Sequence, residues 1–168
     1  MWSLQEEIEG CLFELRRLTA TDFAAIACSN QKDQTIRWVY VSGNRNDRYK
    51  RILLRPGKGI AGKVAKSGRP MVIHSFSPKS GDDPREYPIL LAENLKSVVG
   101  VPITIEDRVF GILLIGSRQE RIFAEQDVEL VTNVAEQLGP LLKQQGGIEN
   151  GNVRQITFYR HMGGHESM

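Results

Sequence analysis

Cysteine is scarce in this chain. Two thiols occur in 168 residues, Cys11 and Cys28, and none follows residue 28. That excludes a disulfide framework and points to a reducing compartment, the cytoplasm. No secretory leader pattern opens the sequence, and no apolar run approaches the roughly 18 residues that a membrane-crossing helix needs. An excess of one charge is lacking too: 22 Lys and Arg face 20 Asp and Glu, and the net +2 is spread along the chain. Nucleic acid and anionic membrane surfaces are therefore not expected as main partners. Histidine is limited to His74, His161 and His165. His161 and His165 form a His-x-x-x-His pair without a third ligand nearby, so no metal site is expected. His74, after a strand, reads as structural.

What is present suits one globular domain, since 40% hydrophobic and 25% charged residues at this length can bury a core. The chain is organised around Pro56-Gly57-Lys58-Gly59-Ile60-Ala61-Gly62-Lys63-Val64-Ala65-Lys66-Ser67-Gly68-Arg69-Pro70. Pro56 and Gly57 supply a turn, Gly59 permits close backbone approach, and residues 60–67 read as two helical turns stopped by Gly68 and Pro70. No Asp or Ser caps this helix. Its first N–H groups, left without side-chain partners and carrying a partial positive charge, are expected to accept a small anion, with an ordinary glycine turn as the alternative. A P-loop is not formed, because Val64 follows Gly62-Lys63 where that motif needs Ser or Thr. Arg45, Arg48, Lys50, Arg51, Arg55, Lys58 and Lys63 form a basic cluster leading into this loop, read first as a solvated face, with a surface that raises the local anion concentration as the alternative.

In chain order, Ser3 and Glu6 form a capping-box pattern ahead of Leu4, Ile8, Cys11, Leu12, Leu15 and Leu18 at helical spacing. Residues 23–28 and 35–42 predict a hairpin about Asn30-Gln31-Lys32-Asp33, with Ile36, Trp38 and Tyr40 sharing one face. Residues 52–54 form a short apolar piece and 71–74 a strand. Residues 75–92, with four breakers (Pro78, Gly81, Pro84 and Pro88), predict a long loop. It carries Tyr87, Pro88, Ile89 and Leu90, apolar cargo that predicts folding back onto the rest of the domain, with a plain surface excursion as the alternative. Residues 97–105 and 109–117 form a β-branched hairpin central to a sheet. An amphipathic helix over 124–145 follows, with Val128, Val131, Val134, Ala135, Leu138, Leu141 and Leu142 on its stripe. Glu125, Asp127, Glu129 and Glu136 are expected in solvent, and Pro140 is expected to kink the last turns. Domain 1–145 then gives way to a glycine-diluted tail, 146–168, expected to be flexible, in which 153–159 could form a strand. The class is α+β with an antiparallel sheet.

Five blocks in order resemble the GAF domain over residues 3–145: Gly57-Lys58-Gly59-Ile60-Ala61-Gly62; Gly68-Arg69-Pro70-Met71-Val72-Ile73; Ser97-Val98-Val99-Gly100-Val101-Pro102-Ile103; Phe110-Gly111-Ile112-Leu113-Leu114-Ile115; and Phe123-Ala124-Glu125-Gln126-Asp127. The resemblance implies a six-stranded antiparallel sheet with the terminal helices on one face and a ligand pocket under mid-chain loops on the other. Free methionine-R-sulfoxide reductases of this fold work through mid-chain cysteines, which are missing here, as are the attachment cysteine of bilin photoreceptors and the Asn-Lys-x-x-Phe signature of cyclic-nucleotide binders. An enzyme of the reductase type and a regulator for another small molecule are the alternatives to the closest resemblance.

That resemblance is to the stand-alone nitrate-receptor branch of the family. It rests on Ile36-Arg37-Trp38-Val39-Tyr40-Val41-Ser42-Gly43-Asn44-Arg45-Asn46-Asp47-Arg48-Tyr49-Lys50, on Leu54-Arg55-Pro56-Gly57-Lys58-Gly59, and on Tyr87-Pro88-Ile89 with Glu93-Asn94-Leu95-Lys96-Ser97. It implies nitrate bound at the mid-chain helix start by the backbone of Ile60 and Ala61, with Trp38, Leu54, Tyr87 and Ile89 as walls. No cofactor and no catalytic residue is implied. Nitrate occupancy relieves restraint of a partner sensor histidine kinase in that branch. The amphipathic terminal helices suit either a homodimer or packing on their own sheet, and the two readings stay open.

Overall fold

The computed structural model describes residues 3–144. The expected tail, 146–168, the 153–159 strand and the His161–His165 pair lie outside the described residues. Helix α1, Leu4–Thr19, opens with Ser3 Oγ accepting the Glu6 N–H at 3.1 Å while Glu6 Oε1 accepts the Ser3 N–H at 3.0 Å. This reciprocal capping box satisfies two end donors. Strands β1 (Phe23–Ser29) and β2 (Ile36–Ser42) form the first hairpin, and β3 (Leu53–Leu54) adds to the outer edge of β2. Helix α2 spans Gly59–Ser67 and β4 spans Met71–Ile73. A short 3-10 turn, Pro78–Ser80, precedes helix α3, Pro88–Glu93. Strands β5 (Ser97–Ile105) and β6 (Arg108–Ser117) are joined by Glu106 and Asp107, both at positive φ, and helix α4, Glu125–Gln144, completes the order. A two-residue turn with both φ values positive matches the right-handed twist of the strands it joins.

All six strands pair antiparallel in the order β3-β2-β1-β6-β5-β4. One face of the sheet carries a core of Ile8, Leu12 and Leu15 from α1 and Leu130, Val131, Val134 and Leu138 from α4, packed on Ile26, Val101, Leu113 and Ile115. The apolar stripes of both terminal helices are thus spent on their own sheet. The opposite face carries a second core built on α2 and α3. Two cores on two faces give the α+β layering expected from the sequence.

Three expectations are corrected. Trp38 and Tyr40 do not share a face: Ile26 pairs with Tyr40 and Ala27 with Trp38, leaving Val39 as an extra residue. This β-bulge inverts the alternation, so Trp38 joins the second core and Tyr40 the first. Residues 75–92 are not one loop, because Pro88 sets the first turn of α3 and Ile89 and Leu90 bury there. Asp127 is not in solvent. Buried at the start of α4, it accepts from the Ala124 N–H and the Arg121 guanidinium, both at 3.3 Å. The helix itself runs past Pro140 to Gln144.

Candidate functional site

The second core brings together all six residues singled out from the sequence. Trp38 from β2, Leu54 from β3, Ile60 and Ala61 from the first turn of α2, and Ile89 from α3 are buried in it, and half-buried Tyr87 packs against it. Gly59 stands at φ 67°, a conformation that L side chains rarely adopt, and a Cβ there would lie 3.0 Å from both Leu54 methyls. It therefore fixes how the chain enters α2 and where Leu54 sits.

The turn ahead of α2 folds back onto the helix. Gly57 N–H donates to Gly62 O at 2.7 Å, Lys58 N–H to Arg55 O at 2.9 Å and Gly62 N–H to Lys58 O at 3.0 Å. The N-cap, Lys58, makes no side-chain cap bond, and no acidic residue lies in the first turn. Among the described residues the amides of Gly59, Ile60 and Ala61 donate to nothing. This tight turn depends on Gly62, whose added Cβ would fall 2.3 Å from Arg55 O. Gly62→Ala is accordingly expected to destabilise the protein by about 1–3 kcal/mol, the usual range for overpacking, measured by urea denaturation.

One donor in this core stands out. The indole Nε1 of Trp38 is buried, at a residue only 3% exposed, and has no hydrogen-bond partner. A buried N–H without an acceptor costs about 1–3 kcal/mol, so such groups are uncommon away from functional sites. With the amides at the α2 start it belongs to an apolar region whose free polar groups are donors. That combination suits an anion that is small and weakly hydrated.

The roof of this region is tied down at both ends of α3. At its start, Lys63 Nζ lies 2.7 Å from Glu86 Oε2, 3.3 Å from Tyr87 Oη and 4.7 Å from the centre of the Tyr87 ring. The Phe76 ring meets Tyr87 edge-on at 5.7 Å. At its end, the fully buried carboxylate of Glu93 accepts from Arg118 Nη2 at 2.7 Å and from the Arg45 N–H at 2.8 Å. Arg118 also donates from Nε to Glu93 O and from Nη2 to Gly43 O, and its own N–H donates to Asp22. Asn46 Nδ2 donates to Ala92 O. This brace joins the loop after β2, the end of α3 and the end of β6. Glu93 Oε2 within it, and Arg16 Nε on α1, are buried without partners.

Sequence reasoning missed Glu93 and Arg118 as a pair, because 25 residues separate them; the one signal was an acid closing the apolar run Pro88-Ile89-Leu90-Leu91-Ala92. The expected basic cluster is largely exposed, with Lys63 half-buried at the site. A groove of about 390 Å³ opens elsewhere, between the β1–β2 and β5–β6 turns and the last turn of α2. None of the six site residues lines it. Both thiols lie on the helix side of the sheet, Cys11 within the first core and Cys28 packed against it. Burial pushes each up to about 12, so they stay protonated at neutral pH. Among the described residues no group of three His, Cys, Asp or Glu could hold a metal ion, and no helix is long and apolar enough to cross a membrane.

A family model for the GAF domain matches residues 3–143. The chain belongs to the GAF domain family. As a GAF domain it is similar to NreA from Staphylococcus aureus, solved in a form mutated in its nitrate binding site. The two are 39% identical over 73% of this chain and 94% of that one, with a TM-score of 0.62. The hypothetical protein SA1058 from S. aureus is 41% identical, over 70% of this chain and 98% of that one, with a TM-score of 0.63. The HTH-type transcriptional activator RamA of Corynebacterium glutamicum is 25% identical over 152 residues, 89% of this GAF chain, which spans 53% of the activator. A type II free methionine-R-sulfoxide reductase from Thermoplasma acidophilum, at 15% identity and a TM-score of 0.66, shares the GAF fold alone.

Proposed function

We propose that this GAF domain is a nitrate receptor, holding the ion between the Ile60 and Ala61 amides and the Trp38 indole N–H, with Leu54, Tyr87 and Ile89 as walls. The observation that carries the reading is the buried, unpartnered Trp38 Nε1 in the same core as the uncapped start of α2. Similarity to a protein with a nitrate binding site supports it. Nitrate is planar, singly charged and cheap to dehydrate, so a few aimed N–H groups in apolar walls can hold it. Sulfate and phosphate carry more charge and call for more donors or a guanidinium fork, which these walls do not supply.

Occupancy then acts on a partner, a sensor histidine kinase whose autophosphorylation the unliganded chain restrains. A ligand shifts such an equilibrium only by its differential affinity for the two states. A sulfoxide-reducing enzyme is a poorer reading, because its nucleophile must be a thiolate near the ligand. Both described thiols are buried in or against the other core and protonated.

At 100 times its dissociation constant, nitrate adds about 2.7 kcal/mol, which corresponds to a rise of roughly 5–10 °C in Tm. Sulfate and phosphate at the same ionic strength are expected to add nothing comparable. Equal shifts with all three anions overturn the nitrate assignment. Autophosphorylation of the kinase unaffected by the chain, with or without nitrate, overturns the partner.

A further inference from the structure

We propose that Lys63 is a positioning residue for the anion site: bound to Glu86 and Tyr87, its ammonium holds the Tyr87 wall against α2 and thereby sets how fast the anion leaves. The inference rests on the nitrate reading and adds to it the device that controls exchange. Lys63 stands three residues after Ile60 on α2, so the helix that presents the amides also carries the fastening for the opposite wall. Among the described residues, every hydrogen bond between α2 and residues 75–93 comes from Lys63. Its hydrogen bond to Glu86 raises the Lys63 pKa above that of an ordinary amine, so the group is cationic at neutral pH.

The two ends of α3 are fastened unequally. The Glu93 end is pinned by a carboxylate with no exposure, whereas the ion pair at the Tyr87 end has side chains 34% and 44% exposed. Tyr87 itself has no side-chain capping bond to the helix it precedes. Opening at the Tyr87 end therefore breaks one partly exposed ion pair, one hydrogen bond, one cation–π contact and the edge-on contact with Phe76, while opening at the Glu93 end uncovers a buried charge. The Tyr87 end is the one that yields.

The test is the nitrate dissociation rate of the full chain, followed by tryptophan fluorescence in stopped-flow dilution, with amide hydrogen exchange at Leu90 and Leu91 in the ligand-free protein alongside. Both amides donate to Tyr87 O and so report on that end of α3. Lys63→Met is expected to raise the dissociation rate about tenfold and Glu86→Gln about threefold, the scale of a partly exposed ion pair with a cation–π contact. Lys63→Arg, which keeps charge and stacking, should return the rate to within about twofold of wild type. In Lys63→Met, exchange at Leu90 and Leu91 should quicken without nitrate, while protection in β5 and β6 stays unchanged. A Lys63→Met rate within twofold of wild type overturns the proposal. If wild type binds no nitrate, the receptor reading falls, and unchanged exchange at Leu90 and Leu91 in Lys63→Met then overturns the positioning role separately.

Discussion

Replacing Trp38 with phenylalanine is expected to weaken nitrate binding by about 10- to 100-fold, the equivalent of one hydrogen bond to a charged partner. The same change should leave the ligand-free protein's stability within about 1 kcal/mol of wild type. Removing a buried N–H that has no acceptor relieves a desolvation cost, which offsets the lost apolar area and the small void left by a smaller ring. Affinity and stability thus separate, which a purely structural tryptophan would not produce. Calorimetry with nitrate and urea denaturation of the same two proteins give both numbers. Equal affinity in the phenylalanine variant removes the indole from the site.

Arg118→Met should cost about 3–5 kcal/mol, the scale for stranding one partner of a buried ion pair. Glu93 has no exposure, and without Arg118 its carboxylate keeps only the Arg45 N–H. Two carbonyls, Glu93 O and Gly43 O, lose their guanidinium donor as well. A double change, Arg118→Met with Glu93→Gln, should recover part of the loss by removing the stranded charge, although the carbonyls remain unserved. Denaturant midpoints of wild type and the two variants check this, and a single-variant cost below about 1 kcal/mol contradicts a structural role for the brace. Nitrate affinity should fall along with stability, since α3 carries Ile89 and follows Tyr87.

Much of the fold was legible because its signals are local. The Ser3–Glu6 box, the β-branched run of β5 and β6 and the uncapped start of α2 each declare themselves within a few residues. The candidate site residues came from resemblance, and what the structure adds is that they share one core; periodicity alone gave Trp38 a side but misassigned Tyr40. A single extra residue, Val39, reverses the alternation, and nothing in Ile36-Arg37-Trp38-Val39-Tyr40 marks it. Helix α3 is six residues long, too short to establish a helical period, and its breakers masked it. Asp127 looked like one more exposed acid on a polar face, yet Arg121 and the Ala124 amide draw it inward. The partners of Glu93 lie at Arg45 and Arg118, 48 and 25 residues away, a distance over which composition carries no information.

The central claim is that the free N–H groups of one apolar core hold a small anion. Proton–nitrogen correlation spectra during nitrate titration test it most directly, because they observe those donors themselves. The account predicts saturable shifts at the Ile60 and Ala61 amides and at the Trp38 indole, with one common affinity and no counterpart in sulfate. Still resonances at all three donors, or shifts centred on the groove around Gln34 and Lys66, contradict it.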